Sequence, residues 1–327
     1  MLLDIFFFVA GLVLILAGAN FMTDGSSAIA KRLGMSDFVV GLTIVAMMTS
    51  APELVVSVMS AFQASTDMAI GNIVGSNIFN ILVIIGLVAM IKPIKVERGV
   101  LSNEIPLVIL SFAALLVMGN APLLDGGAMV LTRVDGIILL LFFLVFMRYT
   151  LASAKSAKEV TLEVAAPPTA EKEIRRPMGM VKAVIWVLGG LGGLILGGNW
   201  FVDGASGFAM RLGMSEAMVG LTIIAAGTSL PELATSVVAA RKGMSGMCVG
   251  NVIGSCIFNI FFVLGITATI KPLAFGGIGN LDLLTMMIAG LLFWIFGWFF
   301  GDRVIKRAEG AVLFLLYIGY TVILILT

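Results

Sequence analysis

Two short segments of the sequence place a glutamate directly after a proline within long apolar stretches. They are MTSAPE, which ends at Glu53, and GTSLPE, which ends at Glu232. Because proline has no N–H, Pro52 and Pro231 each leave free the backbone carbonyl four residues earlier. Carboxylate, hydroxyl and carbonyl oxygens suit hard cations, so each segment could bind Ca²⁺ or Na⁺. The candidate oxygens belong to Met48, Thr49, Ser50 and Glu53 in the first segment and to Gly227, Thr228, Ser229 and Glu232 in the second.

Two further segments, GNIVGSNIFN and GNVIGSCIFN, carry amide and hydroxyl side chains at helical spacing. Their polar residues recur at i, i+4 and i+8, which places them on one helix face. They are Asn72, Ser76 and Asn80 in the first segment and Asn251, Ser255 and Asn259 in the second. For Asn72 and Asn251, helix packing and ion ligation both remain open. The intervening glycines, Gly71, Gly75, Gly250 and Gly254, predict the close approach of a neighbouring helix.

The composition indicates a protein that crosses a membrane several times. Of its 327 residues 60% are hydrophobic and only 12% are charged, whereas soluble domains carry about a quarter charged residues. We predict an all-α polytopic membrane protein with ten transmembrane helices. They lie at about 4–29, 37–62, 68–91, 102–119, 129–149, 181–208, 216–240, 246–270, 281–300 and 304–326.

The absence of certain residues and motifs narrows the function. The sequence has no histidine and no phosphate-binding P-loop motif, which argues against a histidine proton shuttle and against ATP as the energy source. Its two cysteines, Cys248 and Cys256, are eight residues apart on one predicted helix, too far for a disulfide. We expect them to be small core residues.

The sequence repeats itself with an offset of 179 residues. The segment that begins at Asp24 matches the one that begins at Asp203, and the match continues without a gap to Pro93 and Pro272. Five spans per repeat is an odd number, so the second repeat must enter the membrane from the opposite side. We therefore predict two inverted-topology five-helix repeats, 1–150 and 181–327, joined by a hydrophilic linker, 151–180. Such repeats are typical of secondary transporters, whose sites lie near the bilayer midplane.

The basic residues predict the orientation. With the N-terminus outside, seventeen of the twenty Lys and Arg residues lie in cytoplasmic loops, as the positive-inside rule requires. We expect a multi-pass protein of the plasma (cell inner) membrane with a cytoplasmic linker. Its expected partners are the lipid bilayer and transported ions, without nucleic acid or an obligate protein partner.

Two carboxylates at the centre of a membrane would need a cation. One alone costs at least about 2.5 kcal/mol at mid-bilayer, and two at about 5 Å repel by roughly 3 kcal/mol at an effective dielectric constant near 20. An empty pair would tend to hold a proton, whereas one divalent or several monovalent cations would let both ionise. Oxygen ligands disfavour zinc and copper, and a protein cage suits Ca²⁺ better than Mg²⁺. A site that takes either Ca²⁺ or Na⁺ but cannot cross empty would produce antiport.

Other small and polar residues recur outside these segments. Asn20 and Asp24 are repeated as Asn199 and Asp203 toward the helix ends, where we expect structural or access-path roles. A glycine stripe at four-residue spacing predicts close helix packing, or a smooth face on which a helix slides. It comprises Gly189, Gly193 and Gly197.

At these residues the sequence resembles the calcium/cation antiporter superfamily, in particular its prokaryotic sodium/calcium exchangers. The paired TSxPE and GNxxGSxxxN segments carry the resemblance, which covers both repeats. It implies ten helices in two inverted repeats, four central ion sites, and sliding of the first and sixth helices across the others.

The resemblance also implies roles for individual residues. Glu53 and Glu232 would bind both Ca²⁺ and Na⁺, and no cofactor would be needed. Na⁺ would additionally bind to the side chains of Ser50, Ser76, Ser229 and Ser255 and to the backbone carbonyls of Thr49 and Thr228. Asn80 and Asn259 would complete the centre.

Two positions depart from the pattern of the superfamily. Some members, including potassium-dependent ones, have Asp at the position of Asn259, so we expect no potassium requirement. Met48 stands where Gly is usual before Thr49, and we expect it to crowd that half-site.

The sequence thus predicts a secondary antiporter that exchanges Na⁺ for Ca²⁺, and not an enzyme. A proton/calcium antiporter is the alternative, because a carboxyl pair can also carry a proton. A passive cation channel is a weaker alternative. An intramembrane enzyme is disfavoured, since the sequence has no histidine and no membrane-embedded lysine to act as a base.

Overall fold

The computed structural model describes residues 2–63, 66–121, 126, 128–163, 178–212, 225–300 and 302–326. The first part of the predicted seventh span and residues 164–177 of the predicted linker lie outside these ranges. The helices are α1 (Leu2–Leu33), α2 (Asp37–Thr49), α3 (Ala51–Phe62), α4 (Thr66–Ile91), α5 (Val100–Gly119), α6 (Arg133–Glu163), α7 (Met180–Arg211), α8 (Leu230–Arg241), α9 (Ser245–Ile270), α10 (Asn280–Phe299) and α11 (Arg307–Leu326), with one helical turn, Ala225–Gly227, before α8.

Within the described ranges, eight helices are long and apolar enough to cross a membrane. The pair α2 and α3, bent by 41° between Thr49 and Ala51, gives a ninth candidate span. The count stops short of the predicted ten because the predicted span 216–240 is described only from Ala225 onward. The chain is therefore a helical membrane protein. One boundary differs clearly, because α6 runs to Glu163, beyond the predicted end at 149.

The break between α2 and α3 follows from the local sequence. Ser50 leaves the helical conformation, with φ −83° and ψ 9°, and Pro52 lies in the first turn of α3. Proline is well placed there, because its missing N–H would have had no partner in a first turn. Ser229, with φ −90° and ψ 5°, and Pro231 repeat the arrangement before α8.

Helices α4 and α9 form the centre of the molecule. In their most apolar stretches 83% and 78% of the residues are buried, against 28% in each of the peripheral helices α1 and α7. Each central helix widens into a π-helical turn, Asn80–Ile85 in α4 and Phe258–Leu264 in α9. The sequence did not predict these turns, which occur often at functional sites. The buried thiols of Cys248 and Cys256 are free and confirm their predicted place in the core.

Two short antiparallel ladders join the loops of the two halves. Strand β1 (Ile94–Lys95) pairs with β4 (Val304–Ile305), and β2 (Val130–Leu131) pairs with β3 (Leu273–Ala274). The prediction of an all-helical chain did not include these strands. Strand β1 follows the central helix α4, and its partner β4 precedes α11 of the other half. Likewise, β3 follows the central helix α9, and its partner β2 precedes α6.

Helices α1 and α7 approach each other through glycine. A Cβ atom on Gly190 would lie 2.6 Å from the backbone N of Met22, and one on Gly197 would lie 2.7 Å from that of Ile15. Of the predicted glycine stripe, Gly193 and Gly197 face α1, whereas Gly189 has no neighbouring described atom within 4 Å. The helical period of 3.6 residues turns a strict four-residue stripe away from its partner, and Gly190 takes the place of Gly189.

The predicted glycine contact of α9 is confirmed. A Cβ atom on Gly250 would lie 2.8 Å from the backbone N of Leu42, and one on Gly254 would lie 2.6 Å from the Cβ of Ala46. These contacts bring α2 against α9. The residues equivalent to α2 in the second half are 216–228, and of these 216–224 lie outside the described ranges.

Candidate ion-binding site

The two glutamates lie in the first turns of α3 and α8, directly after the breaks. Both side chains are buried, Glu53 at 0% exposure and Glu232 at 1%. The N-terminal end of a helix favours a negative charge, because its unpaired N–H groups carry partial positive charge. The local sequence therefore places each carboxylate where it can be held inside a membrane span.

Hydrogen bonds cross between the two halves at the carboxylates. The Ser50 hydroxyl donates to Oε1 of Glu232 at 2.9 Å, and the Ser229 hydroxyl donates to Oε1 of Glu53 at 3.4 Å. The Ser76 hydroxyl of α4 also donates to Oε1 of Glu53, at 3.4 Å. The structure thus brings together acids that are 179 residues apart in the sequence.

The amides of Asn72 and Asn251 are already engaged in hydrogen bonds. Asn72 Nδ2 donates to the backbone carbonyl of Glu53 at 3.3 Å, and Asn251 Nδ2 donates to that of Glu232 at 3.3 Å. Their Oδ1 atoms accept from threonine hydroxyls across the repeat, that of Asn251 from Thr49 at 3.2 Å and that of Asn72 from Thr228 at 3.4 Å. Of the two roles left open by the sequence, this arrangement favours positioning of the glutamate backbone.

Several buried oxygens of the predicted site residues have no hydrogen-bond partner among the described residues. Such groups are rare in folded proteins, because burial without a partner costs free energy. A bound cation would satisfy them. They are Glu53 Oε2, Glu232 Oε2, Asn80 Oδ1, Ser255 Oγ and Asn259 Oδ1.

The charge of the site comes from the two glutamates. The described residues contain no group of three or more His, Cys, Asp or Glu side chains that could hold a metal. Further ligands must therefore be neutral oxygens, which the serines, asparagines and freed carbonyls supply. Such a set suits Na⁺ and Ca²⁺ better than a transition metal.

At least four polar residues near the proposed ligands were absent from the predicted set. One of them, Thr235, donates to the backbone carbonyl of Glu232 at 3.1 Å. Ser57 accepts from Asn72 at 3.1 Å, and its equivalent Ser236 accepts from Asn251 at 3.0 Å. Both serines lie one turn after a glutamate and recur at the same offset, a signal that the sequence contained. Asn77 accepts from Asn259 Nδ2 at 3.4 Å. It was missed because it lies off the i, i+4, i+8 face.

The halves differ beside the two helix breaks. The Met48 side chain packs against an apolar cluster of α1 and α7 formed by Ala28, Ile29, Ala183 and Val187. The side chain that we expected to crowd the half-site thus packs against α1 and α7. At the equivalent Gly227, a Cβ atom would lie 2.6 Å from Cγ2 of Val202, so a side chain there would have to displace the Val202 side chain of α7.

A cavity of about 530 Å³ reaches the second helix break from the surface of the molecule. Its polar lining consists of Asn199, Asp203 and Thr228, and its apolar lining includes Pro52 and Pro231. Through the Thr228–Asn72 hydrogen bond this cavity adjoins the backbone of Glu53. It offers an approach from one side toward the buried carboxylates.

The family model described as "Sodium/calcium exchanger protein" matches residues 3–152 and 182–326. The chain belongs to the sodium/calcium exchanger family. This exchanger is 39% identical over 329 residues to CaxA of Alkalimonas amylolytica, with 99% of each chain covered. It is 31% identical over 341 residues to the sodium/calcium exchanger MaX1 of Methanosarcina acetivorans, with 96% of each covered. The predicted resemblance to prokaryotic exchangers is confirmed.

Solved structures of the sodium-calcium exchanger NCX_Mj have the same fold as this exchanger. The match has a TM-score of 0.79 at 30% sequence identity and covers 97% of each chain. A family of membrane transporters therefore accounts for most of the chain. Na⁺ and Ca²⁺ are the ions that this family transports.

Proposed function

We propose that this exchanger moves Na⁺ and Ca²⁺ in opposite directions by alternating access at a central site built on Glu53 and Glu232. One observation carries the proposal: each buried carboxylate accepts a hydrogen bond from the serine at the other half's helix break and keeps its second oxygen unpartnered. A cation between the two acids would satisfy both free oxygens and remove their repulsion. Because the empty charged site is costly to move across the membrane, exchange is coupled.

Each proposed ligand has a physical reason. The glutamates serve both ions, and the neutral oxygens serve mainly Na⁺, which needs less negative charge than Ca²⁺. Asn72 and Asn251 position the backbone of the glutamates. The neutral ligands are the hydroxyls of Ser50, Ser76, Ser229 and Ser255, the amide oxygens of Asn80 and Asn259, and the backbone carbonyls at the helix breaks from Met48, Thr49, Gly227 and Thr228.

We infer that the chain forms ten spans in two inverted repeats, 1–150 and 181–327. The reciprocal contacts support this symmetry, because the Ser50–Glu232 bond is repeated as Ser229–Glu53 with the halves exchanged. The two strand ladders are also exchanged between the halves. The basic residues favour a plasma-membrane protein with its N-terminus outside and the segment 151–180 in the cytoplasm.

The relatives support the choice of ions. MaX1 is named a sodium/calcium exchanger. The matched NCX_Mj structures come from a sodium-calcium exchanger soaked with Na⁺ together with Ca²⁺ or Sr²⁺. In both proteins the match extends over nearly the full chain, which includes both glutamate segments.

The test is Ca²⁺ uptake by proteoliposomes under an outward Na⁺ gradient. Wild-type protein should accumulate Ca²⁺ against its gradient, and Glu53→Gln and Glu232→Gln should each lose at least nine-tenths of the rate, because one buried charge is removed. Glu104→Gln is the matched control. Glu104 is also a buried carboxyl in a membrane helix, but its contact is the Tyr149 hydroxyl at 3.2 Å. This variant should transport at the wild-type rate.

The same vesicles separate the alternative functions. Uptake driven by a pH gradient but not by Na⁺ would identify a proton/calcium antiporter. Downhill Ca²⁺ flux without any counter-ion would identify a channel. Normal exchange in either glutamate variant would refute the proposed site.

A further inference from the structure

An ion pair joins a peripheral helix of the first half to a helix of the second half that carries a glutamate. The carboxylate of Asp24 in α1 lies 2.7 Å from the ammonium of Lys242, which directly follows α8. The same ammonium donates to the backbone carbonyl of Asn20 at 3.5 Å. Lys242 therefore holds α1 against the C-terminal end of α8, the helix that carries Glu232 in its first turn.

The equivalent position in the other half lacks this cation. The residue equivalent to Lys242 is Gln63, which follows α3. Asp203, the equivalent of Asp24, forms no ion pair with any described basic side chain. Asp203 and Asn199 instead line the open cavity that reaches Thr228.

The packing shows the same difference between the halves. Thr23 is 1% exposed and Thr49 is 0% exposed. Their equivalents Val202 and Thr228 are half-buried, and both line the cavity. The approach to the central site past Asp24 and Thr23, here called the Asp24 approach, is thus closed. The equivalent approach past Asp203 and Val202 is open.

We propose that Lys242, through its ion pair with Asp24, keeps the Asp24 approach closed while the equivalent approach past Asp203 stays open. Its ammonium contacts the Asp24 carboxylate and the Asn20 carbonyl at the mouth of that approach and holds the part of α1 that contains Thr23 against the end of α8. This inference rests on the proposed function, since a closed approach matters to a carrier that opens on both sides. Because Gln63 is the equivalent of Lys242, a positive charge at position 63 should pair with Asp203 and close the approach past Asp203.

Thiol labelling of the full chain in nanodiscs tests the proposal. One cysteine is introduced at Thr23, in the closed approach, or at Val202, in the open one. The native Cys248 and Cys256 are both 0% exposed and serve as a low background, measured in the chain without an added cysteine. The labelling rate of each introduced thiol reports whether its approach is open.

Removal of either charge should open the Asp24 approach. In Lys242→Gln and in Asp24→Asn, labelling at position 23 should rise about two- to fivefold, the range that a partly exposed ion pair yields. Labelling at position 202 should not rise, and Lys242→Arg should retain the wild-type rates. The reciprocal variant Gln63→Lys should slow labelling at position 202 by a similar factor.

Three results would overturn the proposal. One is an unchanged rate at position 23 in both Lys242→Gln and Asp24→Asn. Another is an equal rise of the labelling rates at positions 23 and 202 in these variants, which would indicate a general loosening of the fold. The third is Gln63→Lys without any slowing at position 202. Ca²⁺ uptake by the wild type is measured in parallel. Normal exchange together with unchanged labelling rates in the variants defeats the Lys242 inference alone. Changed labelling rates without any Na⁺/Ca²⁺ exchange by the wild type defeat the proposed function alone.

Discussion

Ser50 and Ser229 each act on the glutamate of the other half, not on the one that follows them in the sequence. Each serine occupies the break of its own broken helix and donates across the centre, at 2.9 Å to Glu232 and at 3.4 Å to Glu53. Hydrogen bonds to a buried carboxylate are stronger than those between neutral groups. The crossed pairs therefore hold both acids in place while one oxygen of each stays available for an ion.

Loss of either serine should affect Na⁺ more than Ca²⁺. We predict that Ser50→Ala and Ser229→Ala each raise the half-saturating Na⁺ concentration about tenfold, the effect of roughly 1.4 kcal/mol and at the low end for a lost bond to a charged group. The half-saturating Ca²⁺ concentration should change less, because the glutamates carry the charge that holds Ca²⁺. Both constants are measured as exchange rates in proteoliposomes.

Ser111 provides the control for these serine variants. It is also 0% exposed within a membrane helix, but its hydroxyl donates to the Val108 carbonyl at 2.7 Å, within α5. Ser111→Ala should leave both constants unchanged. Equal losses for Na⁺ and Ca²⁺ in the Ser50 and Ser229 variants would show that the serines serve only the fold.

At the scale of helices, the sequence was most informative where hydrophobic length and proline decide the structure. The apolar runs predicted the spans to within a few residues in most cases, and Pro52 and Pro231 marked the helix breaks. The π-helical turns after Phe79 and Ile257 were not predictable, because they arise from packing between helices and have no local signal. The two strand ladders are also tertiary contacts, each formed by segments more than a hundred residues apart.

The glycine contacts between α1 and α7 give a prediction about stability. Gly190→Ala should destabilise the protein by about 1–3 kcal/mol, since its Cβ atom would lie 2.6 Å from the Met22 backbone and overpack the interface. Gly189→Ala adds the same methyl group where no described atom lies within 4 Å, so its stability should match or slightly exceed the wild type. Unfolding in SDS measures both variants. Equal stability of the two would contradict the close contact.

At the scale of the whole molecule, the two halves are related but not identical. The repeat predicted that the two glutamate segments lie close together, and two crossed serine–glutamate hydrogen bonds join them in the structure. Symmetry alone could not predict the differences, such as the pairing of Lys242 where the other half has Gln63, or the open cavity beside Asp203. In the proposed alternating-access mechanism the symmetry is broken whenever one side is open, and these differences lie on the approaches to the proposed site.

The most direct test of the central site is a crystal of this exchanger soaked in Sr²⁺, an electron-rich substitute for Ca²⁺. We predict an anomalous density peak between the carboxylates of Glu53 and Glu232, within about 2.3–2.6 Å of their oxygens, the Ca²⁺–oxygen range. High Na⁺ should displace it. A saturating soak that leaves the space between these acids empty, or a peak that Na⁺ does not displace, would contradict the account.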